Sequence, residues 1–372
     1  MTKKIKVMTI FGTRPEAIKM APIVLQLQKQ VDKFIPVTVV TAQHREMLDQ
    51  VLDIFKIRPD YDLNIMKPNQ TLAGITSRVL MKLDEIMAEV KPDIVLVHGD
   101  TTTTFAASVS AFYHQTPVGH VEAGLRTWNK YSPYPEEMNR QLTDVLADMY
   151  FAPTKLSKAN LLKENHVEAN ITVTGNTAID ALKQTVSADY HHDALDLVEP
   201  GHRMILLTMH RRENQGAPME SVFAAIKRVV LGHPDVEVVY PVHLSPAVQT
   251  VAKRILGDTE RIHLIDPLDV VDFHNMSARS YFIMTDSGGV QEEAPSLNKP
   301  VLVLRDTTER PEGVTAGTLK LVGTDGEKVQ KAMESLLDNQ AEYDAMAKAE
   351  NPYGDGHAAE YILSAIYNKL IK

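Results

Sequence analysis

Hydrophobic and polar positions form two alternating kinds of segment along the chain: short apolar runs and longer stretches with helical spacing. Apolar runs of about four to eight residues predict buried strands. They lie at Ile5–Phe11, Pro36–Val40, Ile94–His98, Pro117–Val121, Met149–Ala152, Ile171–Val173, Met204–Thr208, Glu237–Tyr240, Ile262–Ile265, Tyr281–Met284 and Val301–Leu304. Helical spacing is clearest at about Pro15–Gln30, Thr71–Glu89 and Glu137–Ala147. This alternation predicts an α/β protein with parallel sheets.

The alternation of predicted strands and helices is interrupted by a polar stretch at 187–202. This stretch ends in Pro-Gly-His and is the best candidate for a linker. A chain of 372 residues is too long for one typical core, so we expect two domains. We predict an N-terminal Rossmann-like domain at 1–186, completed by a C-terminal helix at about 357–372, and a second Rossmann-like domain at 203–350. Two such domains are expected to face each other across a cleft at the carboxyl ends of both sheets.

Composition narrows the classes of partner and chemistry. The chain has no cysteine, which excludes disulfides, thiolate nucleophiles and cysteine-based zinc sites. A net charge of −9 without a basic block argues against nucleic acid as the main partner. The first apolar run is too short for a signal peptide, and no apolar stretch reaches the length of a membrane span. We therefore expect a cytoplasmic protein with neither nucleic acid nor membrane as a partner.

The most informative stretch is 281–312, where an apolar run is followed by a glycine pair that opens a helical segment. Gly288 and Gly289 allow a ligand to approach the backbone, and the start of a helix favours an anion. Glu293 follows closely, where a carboxylate could accept hydrogen bonds from ribose hydroxyls. Together these features suggest a nucleotide diphosphate, although the P-loop lysine is absent. The alternative is an ordinary strand–turn–helix in which Ser287 caps the helix.

A second candidate for phosphate binding follows the first strand. Capping explains Thr13, Pro15 and Glu16. It does not explain Arg14, a cation in the first helical turn, where the helix dipole disfavours positive charge unless an anion lies nearby. We therefore favour a phosphate contact for Arg14, with Lys19 one turn later.

Acid–base groups follow several of the predicted strands. Asp100, Glu122 and Glu136 lie at or near strand ends in the first half, and His210 follows the first strand of the second half. Asp100 could be a plain helix cap and Glu136 a routine acid at a helix start. Three acids near a diphosphate are unfavourable unless the chemistry uses them. The histidines show no zinc-binding spacing, so we expect no metal site.

The assembled motifs resemble those of the non-hydrolysing UDP-N-acetylglucosamine 2-epimerases of bacteria, in order and over essentially the whole chain. They are Gly12–Pro22, Thr41–Asp49, His98–Thr103, Val121–Arg126, Pro135–Glu137, His210–Glu213, Asp286–Pro295 and Asp306–Glu312. The resemblance implies a glycosyltransferase-B-like fold, a UDP-sugar cleft and a homodimer. It implies an isomerase that interconverts UDP-GlcNAc and UDP-ManNAc without NAD, another cofactor or a metal. UDP would leave by anti elimination and add back to a 2-acetamidoglucal intermediate, and the product would supply ManNAc for cell-surface polysaccharide.

The same resemblance implies roles for individual residues. Asp100, Glu122, Glu136 and His210 match catalytic positions. The positions that match UDP-binding residues are Arg14, Lys19, Phe273, Ser287, Gly288, Gly289, Glu293 and Arg310. A second, regulatory UDP-GlcNAc site is implied as well, with candidates Gln43, His44, Gln70, Thr102, Arg211 and His243.

Three other activities fit parts of this pattern. A hydrolysing epimerase would release free ManNAc, and a retaining UDP-sugar glycosyltransferase would use similar glycine and glutamate positions. A non-catalytic nucleotide-sugar sensor would not need acids crowded near the reacting sugar, so it is disfavoured.

Overall fold

The computed structural model describes residues 3–43, 45–68 and 70–371. It divides into two compact units, one formed by Met1–Ala181 with Tyr353–Lys372 and the other by Leu182–Pro352. Among the described residues, none of the helices combines the length and the apolar character that crossing a bilayer requires.

Strands and helices alternate through both units. The strands are β1 (Ile5–Phe11), β2 (Phe34–Val40), β3 (Tyr61–Asp62), β4 (Ile94–His98), β5 (Val118–Val121), β6 (Met149–Ala152), β7 (Ile171–Val173), β8 (Arg203–Thr208), β9 (Val236–Pro241), β10 (Ile262–Ile265), β11 (Phe282–Thr285), β12 (Val301–Val303) and β13 (Leu319–Leu321). The helices are α1 (Arg14–Lys29), α2 (Arg45–Ile54), α3 (Leu72–Val90), α4 (Thr102–Tyr113), α5 (Glu136–Leu146), α6 (Lys155–Lys163), α7 (Thr177–Thr185), α8 (Ala217–Gly232), α9 (Pro246–Leu256), α10 (Val270–Arg279), α11 (Gly288–Glu293), α12 (Pro311–Ala316), α13 (Gly326–Asp338), α14 (Gln340–Ala347) and α15 (Ala358–Leu370).

The first unit is built on a seven-stranded sheet in the order β3-β2-β1-β4-β5-β6-β7, in which every neighbouring pair is parallel. Neighbouring residues of β1 pack in different hydrophobic cores. Val7 packs with α1, α2 and α15, whereas Met8 packs with α3 and α4. Both faces of the sheet are therefore covered, as a doubly wound parallel sheet requires. Helix α15, from the end of the chain, packs on α1 in this unit.

The second unit repeats the plan with a six-stranded parallel sheet in the order β10-β9-β8-β11-β12-β13. Helices α8, α9 and α13 cover one face of this sheet. Helices α10 and α11 cover the other face together with Ala194, which comes from the stretch before β8. The two parallel sheets, each with helices on both faces, confirm the predicted α/β class with two Rossmann-like domains.

The observed elements differ from the sequence predictions mainly at sheet edges. Strands β3 and β13 were not predicted; they have two and three residues and lie at the ends of the two sheets. The strand predicted at 281–284 runs from Phe282 to Thr285. Such short or shifted segments carry too few alternating positions to give a clear pattern.

Residues 187–202, the stretch predicted as a linker, belong to the second unit in this division. The backbone N–H of Ser187 donates to Asn275 Oδ1 at 2.9 Å, and that of Glu199 donates to Glu237 Oε1 at 2.8 Å. The stretch is thus hydrogen-bonded to the body of the second unit, and its role as a linker stays a prediction.

Candidate functional site

Strand register brings two of the candidate acids to adjacent strand ends in the first unit. His98, the last residue of β4, pairs with Val121, the last residue of β5. Asp100 follows β4 by two residues and Glu122 follows β5 directly. Carboxyl ends of parallel strands are where α/β folds place their ligands, so this edge is the candidate site of the unit.

Asp100 is held from helix α5. The Arg140 guanidinium donates through Nη2 to Asp100 Oδ2, and Asn139 Nδ2 donates to the Asp100 carbonyl oxygen at 2.9 Å. Arg140 Nη1 lies 3.3 Å from the fully buried Glu137 carboxylate. Glu136 begins α5, as predicted, and is half-buried.

Glu122 lies close to side chains from several elements of the first unit. Lys19 Nζ and Asn176 Nδ2 both donate to Oε1, the latter at 3.0 Å, and His98 Nε2 lies 3.6 Å from Oε2. Glu122 itself has a φ of 66°, in the left-handed region that non-glycine residues rarely occupy. Strained backbone of this kind concentrates at functional sites. Lys19, predicted to bind UDP, is thus brought together with a predicted catalytic acid.

A buried carboxylate, Glu16, joins the turn after β1 to the start of α4. Its Oε2 accepts from the backbone N–H groups of Gly12 at 3.0 Å and Thr13 at 2.8 Å, and its Oε1 accepts from Thr101 Oγ1 at 2.6 Å and Thr104 Oγ1 at 3.1 Å. Burial raises the pKa of Glu16, and these hydrogen bonds oppose the rise. The threonine run after Asp100 therefore supplies hydrogen bonds between two loops. Arg14, the first residue of α1, lies two residues before Glu16 and is exposed.

In the second unit, Asp286 anchors the loop that carries His210. Thr208 pairs with Thr285 in the sheet, which places His210 and Ser287 two residues beyond neighbouring strand ends. The fully buried Asp286 carboxylate accepts from the backbone N–H of His210 at 3.0 Å and from that of Arg211 at 2.9 Å.

The His210 imidazole is half-buried and stacks on His243, with ring centroids 5.4 Å apart and planes 14° from parallel. Burial lowers the pKa of His210; the Asp286 carboxylate opposes this shift, while His243 and Arg211 reinforce it. A neutral imidazole is therefore favoured at pH 7, and it is competent to accept a proton.

The glycine pair opens α11 as predicted, with Ser287 at the N-cap position. Gly288 leaves room for Arg310: a Cβ there would lie 2.9 Å from Arg310 Nη1. Arg310 Nε donates to the buried Glu292 at 2.8 Å, which fixes the guanidinium beside the start of the helix. A cation beside the first backbone N–H groups of a helix can bind a phosphate group.

The remaining UDP-binding candidates lie on or after α10. Phe273 is half-buried on α10 and packs against the core beneath it. Its neighbour His274 is buried, with Nε2 3.5 Å from Glu293 Oε2. Gly289 leaves its Cβ position open, with Glu293 Oε1 at 3.8 Å as the nearest atom.

The candidates for a regulatory site separate into two groups, one in each unit. In the first, Gln70 Nε2 donates to the Gln43 carbonyl at 3.1 Å, and Thr103 Oγ1 donates to Gln43 Oε1 at 3.0 Å. Thr102 is buried at the start of α4. In the second unit, Arg211 and His243 flank His210, as described above. His44 lies outside the described residues.

Among the described residues, one group offers metal-ligating atoms close together: His191, Asp193 and Asp196, within 4.8 Å of one another. All three are exposed, and exposed acidic groups commonly bind no metal.

Four residues near the candidate groups had no functional role in the sequence analysis: His98, Asp286, Asn176 and Arg140. The sequence could have indicated Asp286, because this residue lies between the end of a predicted strand and a glycine pair. Asn176 and Arg140 lie 54 and 40 residues from the acids they contact, so no local pattern could have indicated them.

Comparisons with known proteins agree on one family. A protein-family model described as UDP-N-acetylglucosamine 2-epimerase matches residues 26–367. The UDP-N-acetylglucosamine 2-epimerase of Bacillus subtilis (strain 168) is 64% identical over 366 residues, covering 98% of this chain and 95% of that protein. The crystal structure of a putative UDP-N-acetylglucosamine 2-epimerase from Listeria monocytogenes is 61% identical with a TM-score of 0.95, covering 99% of this chain and 97% of that one. The UDP-GlcNAc 2-epimerase of Neisseria meningitidis, solved bound to UDP-GlcNAc, is 48% identical with a TM-score of 0.86, covering 98% and 100%. These likenesses confirm the glycosyltransferase-B-like fold class.

Proposed function

The chain belongs to the UDP-N-acetylglucosamine 2-epimerase family, and on that premise we propose that it interconverts UDP-GlcNAc and UDP-ManNAc without hydrolysing them. The observation that carries the proposal is the pair of acids at adjacent strand ends, Asp100 and Glu122. A protein that only bound a nucleotide sugar would not need carboxylates crowded at this edge.

The reaction requires the C1–O bond to UDP to break, because the C2–H bond of the bound sugar is not acidic enough for direct deprotonation. As UDP leaves with the bonding electron pair, C1 gains oxocarbenium character and a carboxylate removes the C2 proton. The products of this anti elimination are UDP and 2-acetamidoglucal. Re-addition reverses the step: UDP attacks C1 while a proton is delivered to the opposite face of C2. Stabilising the leaving diphosphate and the sugar cation is the main catalytic task.

Two opposite faces of C2 need two separate proton carriers, since one fixed base cannot serve both. Asp100, Glu122 and Glu136 are our candidates in the first unit, and His210 is the candidate in the second. Lys19 Nζ donates to Glu122 Oε1, so a cation holds that carboxylate at the strand end.

We assign the diphosphate to Arg310 and the backbone at Ser287, Gly288 and Gly289, with Arg14 and Lys19 as further cations. Phe273 and Glu293 would contact the uridine, the latter by accepting from ribose hydroxyls. Neutral His210 would hydrogen-bond the departing phosphate or move a proton. By this proposal UDP binding needs no metal, because cations and oriented N–H groups supply the positive charge.

The proposal extends to the setting of the enzyme. A cytoplasmic homodimer would supply ManNAc units for cell-surface polysaccharide. The substrate would also regulate: UDP-GlcNAc bound by Gln43, His44, Gln70, Thr102, Arg211 and His243 would favour turnover at the catalytic residues.

Incubation with UDP-GlcNAc alone in deuterated buffer, followed by NMR, tests the activity. We expect UDP-ManNAc with deuterium at C2 and a trace of UDP with 2-acetamidoglucal after long incubation. Free ManNAc with UDP would identify a hydrolysing epimerase. Transfer that requires an added acceptor would identify a glycosyltransferase, and binding without conversion would identify a sensor. Hydrogen retained at C2 in the product would contradict the elimination route.

A further inference from the structure

Helix α5 carries a buried carboxylate, that of Glu137, which accepts hydrogen bonds from the preceding loop and from its own helix. Glu137 is fully buried and accepts from the backbone N–H groups of Thr127 and Trp128, each at 3.0 Å, and from Gln141 Nε2 at 2.8 Å. These contacts fix the first turn of α5 to the loop that precedes it. The first turn also contains Glu136, so the backbone of that candidate acid is held by the same contacts.

Arg140 extends this network from Glu137 to Asp100. One guanidinium nitrogen lies 3.3 Å from Glu137 Oε2, and the other donates to Asp100 Oδ2. The Arg140 side chain is only 12% exposed. Asn139, the preceding residue on the helix, donates to the Asp100 backbone carbonyl at 2.9 Å. Asp100 is thus held at both its carboxylate and its backbone by consecutive residues of one helix.

Desolvating an arginine and a glutamate is costly, and a well-packed apolar pair would often stabilise a fold as well or better. A planar guanidinium can bind two carboxylates with fixed geometry, which lysine cannot reproduce. The contacts of Arg140 with Glu137 and Asp100 are therefore better suited to orienting the Asp100 carboxylate than to stabilising the fold.

We propose that Arg140, held by Glu137, is a positioning residue that orients the Asp100 carboxylate for proton transfer and ties it to the helix that carries Glu136. This inference rests on the proposed function, because Asp100 matters only if it takes part in catalysis. Arg140 acts through Asp100 and is assigned no contact with the sugar.

Kinetics of Arg140→Met, Arg140→Lys, Asp100→Asn and the double variant Arg140→Met/Asp100→Asn test the proposal. Arg140→Met should lower kcat by about tenfold to a hundredfold, with KM and the Kd for UDP changed by less than about threefold. Arg140→Lys should recover part of the loss. The double variant should be no slower than Asp100→Asn alone, within about twofold, since residues that act as a unit are not additive.

Arg203→Met is the matched control, because it removes a comparable arginine–aspartate pair, with Asp235, from the opposite end of a strand in the second unit. Its kcat should stay within about twofold of wild type. Wild-type kcat in Arg140→Met, or an additive loss in the double variant, would overturn the proposal.

A crystal structure of Arg140→Met separates this inference from the proposed activity. The Asp100 carboxylate should leave its wild-type position in Arg140→Met and keep it in Arg203→Met. If the wild type fails to epimerise UDP-GlcNAc, the proposed function falls, while a displaced carboxylate would still support the positioning role. An unmoved Asp100 would overturn that role whatever the activity.

Discussion

His98 is a buried histidine with neither ring nitrogen hydrogen-bonded to any of the described residues. Burial lowers the pKa of His98 to about 4, although the Glu122 carboxylate opposes the shift. An unsatisfied buried polar group costs about 1–3 kcal/mol. This cost falls on an imidazole whose Nε2 lies 3.6 Å from Glu122 Oε2, at the candidate site.

The depressed pKa of His98 predicts acid sensitivity. Below the ordinary pKa of 6.5 the unfolded chain protonates this imidazole, whereas the folded chain resists until about pH 4. The unfolded state therefore binds more protons in this window, and the free energy of unfolding falls as pH falls, by up to about 1.4 kcal/mol per pH unit. Denaturant unfolding of His98→Gln between these pH values should show a shallower fall. Exposed His191→Gln should keep the wild-type slope, and an equal slope in both variants would contradict the prediction.

Replacing Glu122 by the isosteric amide tests the proton chemistry at a single residue. Glu122→Gln keeps the size of the side chain but removes the charge paired with Lys19, so turnover should fall by about a hundredfold or more, the usual scale for a lost acid or base. Calorimetry should find UDP binding largely intact. Glu220→Gln, the same change at an exposed pair with Arg254, should leave both unchanged. A wild-type rate in Glu122→Gln would show that the proton chemistry lies elsewhere.

At the residue scale, local sequence motifs predict helix caps and turns, but they do not predict the contacts that the same residues make with distant parts of the chain. Glu16 was assigned to a capping box, and its carboxylate does accept from the Thr13 N–H. Its contact with Thr101, 85 residues away, could not be foreseen from local spacing. Gly12 opens the first of the motifs, and a Cβ there would lie 1.9 Å from Thr41 Oγ1, so the protein itself fills the space beside this glycine. A motif cannot show whether a ligand or the protein itself occupies the space beside a glycine.

At the element scale, the turn before α11 gives a prediction about diphosphate binding. In Gly288→Ala the new Cβ would lie 2.9 Å from Arg310 Nη1, so the guanidinium must move from the start of the helix. Loss of one charged hydrogen bond is worth about 1.5–3 kcal/mol, and we expect the Kd for UDP to rise about tenfold or more.

The matched control for this prediction is Gly232→Ala at the end of α8, where no heavy atom lies within 4 Å of the added Cβ. Both variants should be compared by UDP calorimetry and by thermal unfolding. Unchanged UDP affinity in a folded Gly288→Ala would show that Arg310 does not contact the diphosphate.

Central strands were the elements that sequence predicted best, because they are buried on both faces and read as continuous apolar runs. Every residue of β4 is buried, and its predicted range agrees with the structure. Edge strand β3 has one half-buried and one exposed residue, which leaves no apolar run to detect. The sequence predicted that the sheets are parallel but not the order of their strands, because the pairing of strands depends on contacts between residues distant in sequence.

At the scale of the whole molecule, the regulatory proposal has a structural basis in each unit. Gln43 accepts from Thr103, which belongs to the threonine run that follows Asp100 and donates to Glu16. His243 stacks on His210. In each unit, therefore, a ligand bound by the regulatory candidates would act close to a candidate catalytic residue of that same unit. Such coupling is a free energy between sites and is reciprocal.

We predict that turnover starting from pure UDP-ManNAc shows a lag that a small amount of UDP-GlcNAc abolishes. The physical reason is that UDP-GlcNAc is absent at the start and accumulates only as the reaction proceeds. Gln70→Ala removes the side chain that donates to the Gln43 carbonyl and accepts from Arg78, so added UDP-GlcNAc should no longer shorten the lag. Gln330→Ala, at a surface contact with Glu334 in the second unit, should behave as wild type. NMR time courses at matched enzyme concentration measure all three, and lag-free conversion of pure UDP-ManNAc by the wild type would rule out regulation by the substrate.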